Sequence, residues 1–219
     1  FDLLPGLDEK WLEAQVLTGL GEVSELMDRG ELALQYFNDA LKVSRASGDR
    51  VRAARGLFSL GSLAARQGRL SPARSALNEA LSEYQALFGA GHPMAAEAKA
   101  ALAGVDFSSG RAGAALSAAL QAEATSLDHL RFTVRYLPER QALSFASKRP
   151  RGLDLALSAA SMRPPSDVSR VYDLVIQSRG VVLDELAARS RLTGPADPKL
   201  ADLQMRTNRA RQRFANLLV

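Results

Sequence analysis

Two histidines, His92 and His129, are the only imidazoles in 219 residues, and cysteine is absent. These are the residue types best suited to nucleophilic, proton-transfer or metal chemistry near neutral pH, so their surroundings decide what the chain can catalyse. Without cysteine there is no thiolate nucleophile, no thiolate metal site and no disulfide framework. His92 lies in "GAGHPMAA", a turn directly before a helix, where capping or turn packing is the expected task. A catalytic role would need a nucleophile beside it, and the sequence offers none. His129 follows Asp128 near the end of a helix and reads as a satisfied or surface histidine. Neither has a partner at His-x-x-x-His or Glu-x-x-His spacing, so the sequence indicates no zinc or di-metal site. No Gly-x-x-x-x-Gly-Lys-Ser/Thr or Gly-x-Gly-x-x-Gly pattern offers a phosphate cradle. Asp184, Glu185 and Arg189 look like a catalytic or metal cluster, but Glu185 and Arg189 stand four apart on a helix. That is an ordinary surface ion pair, worth about 0.3–0.5 kcal/mol. The reading is therefore of a chain that is not an enzyme, with no catalytic residue, cofactor or metal site.

Arginine makes the other candidate chemistry. Arg206, Arg209, Arg211 and Arg213 crowd the last helical stretch, and 206, 209 and 213 share one face. Nucleic-acid binders of this kind interleave aromatic residues for base stacking, and only Phe214 is near. A solvated face, or one docking an adjoining domain, is favoured over DNA or RNA. A nucleic-acid-binding helical protein using this stretch is kept as the alternative. The net charge of +4 is too mild to force it.

The elements that position these residues come from composition and period. With 47% hydrophobic and 24% charged residues the chain is of globular type and long enough to bury a core without staples. No apolar run approaches the ~18–20 residues of a membrane span, and no signal peptide is visible, so no membrane partner is expected. Zero cysteine suits a cytoplasmic protein. The chain opens on Phe1 and closes on Leu217-Leu218-Val219, and is read as a piece of a longer polypeptide.

Small residues recur along it. Gly61, Gly68, Ala73, Leu77 and Ala80 are matched forty residues earlier by Gly21, Ala33, Phe37 and Ala40, and forty-two later by Gly110, Ala115, Ala119 and Ala122. Self-similarity at such a period predicts an all-α solenoid of stacked antiparallel helical hairpins. Gly68 and Gly110 are expected to supply the left-handed residue that ends the first helix of a pair. Ser71 is then expected to cap the second helix, with Pro72 at its first position. Phe37 and Leu77 are expected to fill the space against the next hairpin. The spans are about 14–47, 54–87 and 96–128, making 1–128 a repeat region and 129–219 a C-terminal helical extension. Within the extension, Ser166 or Asp167 is expected to cap a helix carrying "VYDLVIQSRGVVLDELAARSR", with Val171, Leu174, Val175, Ser178, Val182, Leu183 and Leu186 on its buried face. Asp197 and Pro198 are expected to start a last helix, Lys199 to Leu218.

The repeat resembles the tetratricopeptide repeat. Leu57, Leu60-Gly61, Ala64, Gly68, Ala73, Leu77 and Ala80 fall at that motif's spacing. The first copy keeps Leu17, Leu20-Gly21, Ala33, Phe37 and Ala40, with Gly30 two residues late for the turn. The third keeps Leu102, Gly110, Ala115, Ala119 and Ala122, with Ala103 in the place of the motif's glycine. The Gly89–Pro93 linker is similar to the Gly-x-x-His-Pro turn of kinesin-light-chain-type repeats. The resemblance implies a concave groove lined by the first helices, binding a protein or peptide ligand. By motif position its candidate residues are Gln15, Thr18, Glu22 and Glu25 in copy one, Arg55, Phe58, Ser62 and Arg66 in copy two, and Glu97 and Phe107 in copy three. The Lys/Asn pattern that grips a terminal carboxylate in some such grooves is missing.

The C-terminal third carries a second resemblance. Tyr136–Leu143, Leu153–Ser158 and Ser178–Arg191 are similar to the segment that joins tetratricopeptide repeats to a caspase-like domain in bacterial TPR–CHAT proteins. That resemblance implies a downstream caspase-like protease domain, in cis or as a separate chain, which this chain would regulate. It also makes Arg179 a candidate anchor for the neighbour. Lacking cysteine, this chain cannot itself complete the peptidase His/Cys pair.

Overall fold

Ala- and Leu-rich segments form helices readily, and a single left-handed residue at intervals turns each helix back on the one before. A computed structural model of the protein describes residues 9–148, 152–178 and 180–191, together with 202–203, 205–207, 209–210 and 213. Its helices are α1 (Glu9–Leu26), α2 (Gly30–Ala46), α3 (Arg50–Arg66), α4 (Leu70–Phe88), α5 (Pro93–Ser108), α6 (Ala112–Val134), α7 (Glu139–Lys148), α8 (Leu153–Ala160), α9 (Pro165–Ser178) and α10 (Val181–Arg191). No strand occurs among the described residues. α1 pairs with α2, α3 with α4 and α5 with α6; α2 then packs on α3 and α4 on α5, which stacks the hairpins.

The three long hairpins turn in the same way. The left-handed residue is Asp28 in the first turn (φ 58°), Gly68 in the second (φ 72°) and Gly110 in the third (φ 74°). In the second, the Gly68 N–H donates to the Ala65 carbonyl at 3.0 Å and the Arg69 N–H to the Ala64 carbonyl at 2.9 Å. This pair of bonds closes the helix end that would otherwise leave carbonyls unpaired. Asp28 and Arg29 make the same two bonds to Glu25 and Ser24, and Gly110 and Arg111 to Phe107 and Asp106. The turn of copy one is thus carried by Asp28 and not by Gly30, which opens α2. Aspartate is one of the few side chains that tolerates this conformation. The expected Ser71 cap is also corrected. α4 starts at Leu70 with Arg69 at its N-cap and no side-chain cap bond, so Ser71 and Pro72 are second and third in the helix. Pro72 is tolerated there because first-turn N–H groups have no helical partner anyway.

The core is a stack of small residues facing larger ones. Ala33, Ala73 and Ala115 are fully buried at matched positions. Opposite Gly21 lies the Phe37 ring, and a Cβ built on Gly21 would meet it at 2.4 Å; on Gly61 it would meet Leu77 at 2.6 Å. Phe37 and Leu77 fill space against the glycine of their own hairpin and also pack with the next as expected, Phe37 with Leu63 and Leu77 with Leu102 and Val105. In copy three both sides change together. Ala103 replaces the glycine, and Ala119 replaces the large residue, both fully buried. Two alanines share the contact there in place of a glycine and a large side chain, within one buried cluster.

Past α6 the stacking continues in shortened form. α8 packs on α6 and touches α5, as α5 packs on α4 and touches α3, and α9 pairs with α8. α8 and α9 thus make a fourth, abbreviated hairpin, with Ala156, Ala159, Ala160 and Val171 buried against α6. α6 continues through 128 to Val134, and α7 is inserted before the hairpin resumes. At the resumption Gly152 lies against α6: a Cβ there would stand 2.6 Å from the Ala119 carbonyl oxygen. Its N–H donates to the buried Glu123 carboxylate at 2.9 Å. The expected single helix over 171–191 is broken by Gly180 (φ 80°) into α9 and α10. The break shifts the phase: Val181 and Val182 are buried while Leu183 is 66% exposed. α9 itself starts at Pro165, so Ser166 and Asp167 fall inside its first turn rather than ahead of it. Asp197 and Pro198 lie outside the described residues.

Replacing Gly61 by Ala should destabilise the stack by about 1–3 kcal/mol through overpacking, and Leu77→Ala by about 2–5 kcal/mol through a cavity. The double variant recreates the Ala103–Ala119 pair and should cost less than the sum of the two. Urea unfolding followed by far-UV circular dichroism measures the difference, and strict additivity would refute the shared contact.

Candidate protein-binding face

The first helices of the three long hairpins, α1, α3 and α5, touch in succession and form one face. Arg55 of α3 ion-pairs with Glu22 of α1 at 2.9 Å, and Arg66 pairs with Glu25. Hydrogen bonding to Glu22 raises the Arg55 pKa, burial opposes it, and the nearby Tyr84 and Glu97 add to the rise. Glu97 is exposed, yet partial desolvation by its neighbours lifts its carboxyl above the ordinary value, with Arg55 pulling the other way. Burial also pushes the Tyr84 phenol up to about 12, against the pull of Arg55. Glu22, Arg55 and Glu97 therefore form an electrostatic row across three hairpins. These surface pairs are each worth at most about 1 kcal/mol, so they set the register and charge pattern of the face more than its stability.

The structure separates the other candidates. Gln15 is exposed, and Ser62 is half-buried. Thr18 is turned back to its own helix, donating to the Ala14 carbonyl at 2.9 Å. Phe58 packs between two core clusters, and Phe107 packs against the cluster of α6, α8 and α9. Both phenylalanines are thus held largely by the fold. Across the other edges of the stack Arg45 pairs with Glu79 at 2.6 Å, Arg50 with Glu83 at 2.9 Å, and Arg74 with Asp106. Trp11 lies under the Arg52 guanidinium, 4.6 Å from the ring centre.

A cavity of about 260 Å³ opens beside Glu97. The first turns of α5 supply Met94, Glu97 and Ala100; α6 supplies Ser126 and His129, and α7 supplies Phe145. It lies where the end of α6 and the inserted α7 meet the start of α5. His92 caps α5: its Nδ1 accepts from the Met94 N–H at 3.2 Å, with Pro93 in the first turn. Its ring stacks on Phe88, centroids 4.5 Å apart. Capping and turn packing are both present. His129 sits inside α6, half-buried, with its Nε2 3.4 Å from the Thr133 hydroxyl and its ring 5.9 Å from Phe145. Burial lowers its pKa, and His92 lowers it further.

Sequence reading missed Glu123, Tyr84 and the cavity. Glu123 had a signal: it interrupts the apolar series Leu116, Leu120, Leu127, Leu130, Val134 at a position that should be apolar. Glu185 pairs with Arg135 at 3.8 Å; the side chain of Arg189 lies outside the described residues. Arg206, Arg209 and Arg213 are exposed, and Arg211 lies outside the described residues, as does Arg179. Among the described residues no group of three His, Asp or Glu is placed to hold a metal ion. No helix among them is long and apolar enough to cross a membrane.

Hairpins stacked in this manner define an all-α solenoid of the helical-repeat class. Residues 12–86 match the tetratricopeptide repeat family, whose repeats in general mediate protein–protein contacts. The fold is similar to that of BtubC (BKLC) from P. vanneervenii, with a TM-score of 0.62 at 16% identity, covering 89% of this chain and 70% of that one. No curated protein matches the sequence.

The Tyr84 shift has a measurable sign. A phenol whose folded pKa lies above its ordinary 10.0 contributes stability below pH 10 that is lost as pH rises toward about 12. Absorbance at the tyrosinate band should show one late-titrating phenol that disappears in Tyr84→Phe. Stability of that variant should fall less between those pH values than that of the parent.

Proposed function

We propose that this chain is a protein-interaction module whose α1–α3–α5 face holds a peptide or protein partner. It regulates an adjoining caspase-like protease domain, in cis or as a separate chain, in a bacterial cytoplasmic TPR–CHAT protein. The observation that carries the reading is the row Glu22–Arg55–Glu97, which sets charged groups of three successive hairpins on one face beside a cavity. The general role of tetratricopeptide repeats supports the interaction part. The resemblance of Tyr136–Leu143, Leu153–Ser158 and Ser178–Arg191 supports the protease part. On this reading residues 1–128 recruit the partner and 129–219 connect to the regulated domain. Gln15, Thr18, Glu25, Phe58, Ser62, Arg66 and Phe107 flank or buttress the row, and Arg179 contacts the neighbour.

The full-length protein tests it. Cleavage of a fluorogenic peptide set should shift on the order of tenfold in Arg55→Glu, a typical allosteric coupling, and stay level in Arg45→Glu on another edge. An absent His/Cys pair beyond Val219, or equal activity in both variants, overturns the protease part. Oligonucleotide binding by the exposed Arg206, Arg209 and Arg213 is the competing reading. A mobility shift that weakens with salt and is lost in Arg206→Glu/Arg209→Glu would favour it.

A further inference from the structure

We infer that the cavity beside Glu97 is an anchor pocket for one bulky apolar side chain of the bound partner that bears, or is flanked by, a positive charge. The inference rests on the reading that the α1–α3–α5 face binds a protein, and it names the chemistry of what that protein inserts.

Size comes first. At about 260 Å³ the cavity falls below the ~300–1,000 Å³ of cofactor and drug-sized sites, so it suits a side chain rather than a nucleotide or prosthetic group. Its walls are mainly apolar, from Met94, Ala100 and Phe145 among others. An aromatic or long aliphatic group entering it exchanges water for carbon on most sides.

Charge decides what accompanies that group. Glu97 is the carboxylate at the wall, and no ion pair to it closer than 4 Å occurs among the described residues. The cation acting on it is Arg55, whose guanidinium is already bonded to Glu22 at 2.9 Å. A helix start would by itself favour an anion. Here one of the first N–H groups of α5, that of Met94, is taken by His92 Nδ1, and Glu97 would repel an anion at close range. Phe145 and the desolvated His129 ring add aromatic faces against which a cation is attracted.

Two small probes of the same shape and opposite charge test this: 2-phenylethylammonium and 3-phenylpropionate, titrated into the whole chain and followed by amide NMR. The ammonium should bind saturably with a Kd on the order of millimolar, shifting residues of α5, α6 and α7, and at least about tenfold tighter than the carboxylate. Glu97→Gln should remove the preference while leaving aromatic binding, and Ala100→Phe should fill the space and remove both, with helicity retained. Equal binding of the two probes to the parent, or no saturable shift from either, overturns the inference. So does a preference that survives Glu97→Gln. If the probes behave as expected while full-length activity ignores Arg55→Glu, the pocket stands and the regulatory reading falls. If activity responds while the probes do not bind selectively, only the pocket falls.

Discussion

The close approach of two helices at one small residue is the constraint on which the rest depends. Gly21 under the Phe37 ring and Gly61 under Leu77 bring each hairpin's helices near enough for Ala33 and Ala73 to vanish from solvent. Each side chain there makes many weak contacts that need a correctly sized opposite number, because protein interiors pack at near-crystalline density. Copy three makes its contact by Ala103 against Ala119, both fully buried. What recurs is a small residue on the first helix at the contact, and no single residue type.

That spacing sets the α1–α3–α5 face. Once hairpins stack at constant distance, α1, α3 and α5 fall side by side, and long side chains such as Glu22 and Arg55 span the gap between neighbours. The charge row is then a product of the stack, not of local sequence. Glu22 and Arg55 stand 33 residues apart, and nothing between them signals the contact.

The legibility of the sequence follows the same division. Helix periods, hairpin pairing and the left-handed Gly68 and Gly110 were readable because they depend on residues close in the chain. The turn at Asp28 was missed because aspartate seldom takes that conformation. The break at Gly180 was missed because apolar spacing runs through it and only the phase changes. The hairpin α8–α9 was missed because its first helix has eight residues and an insertion precedes it. Among the candidate residues, Glu22, Arg55 and Glu97 were named by motif position and stand together on one face. Phe58 and Phe107 are largely packing residues, which motif position does not distinguish. The cavity was illegible, since it lies where the end of α6 and the inserted α7 meet the start of α5 rather than on any motif.

The three identical turns at Asp28, Gly68 and Gly110 lie on one border of the stack, while the connections 47–49 and 89–92 and the inserted α7 lie on the opposite border. One margin of the molecule is consequently uniform and the other elaborated. Additional residues accumulate on the elaborated margin without disturbing the pitch, as α7 has done. His92 and the mouth of the cavity both belong to that margin, so novelty in this architecture has a geographical address, set by the direction in which each hairpin runs.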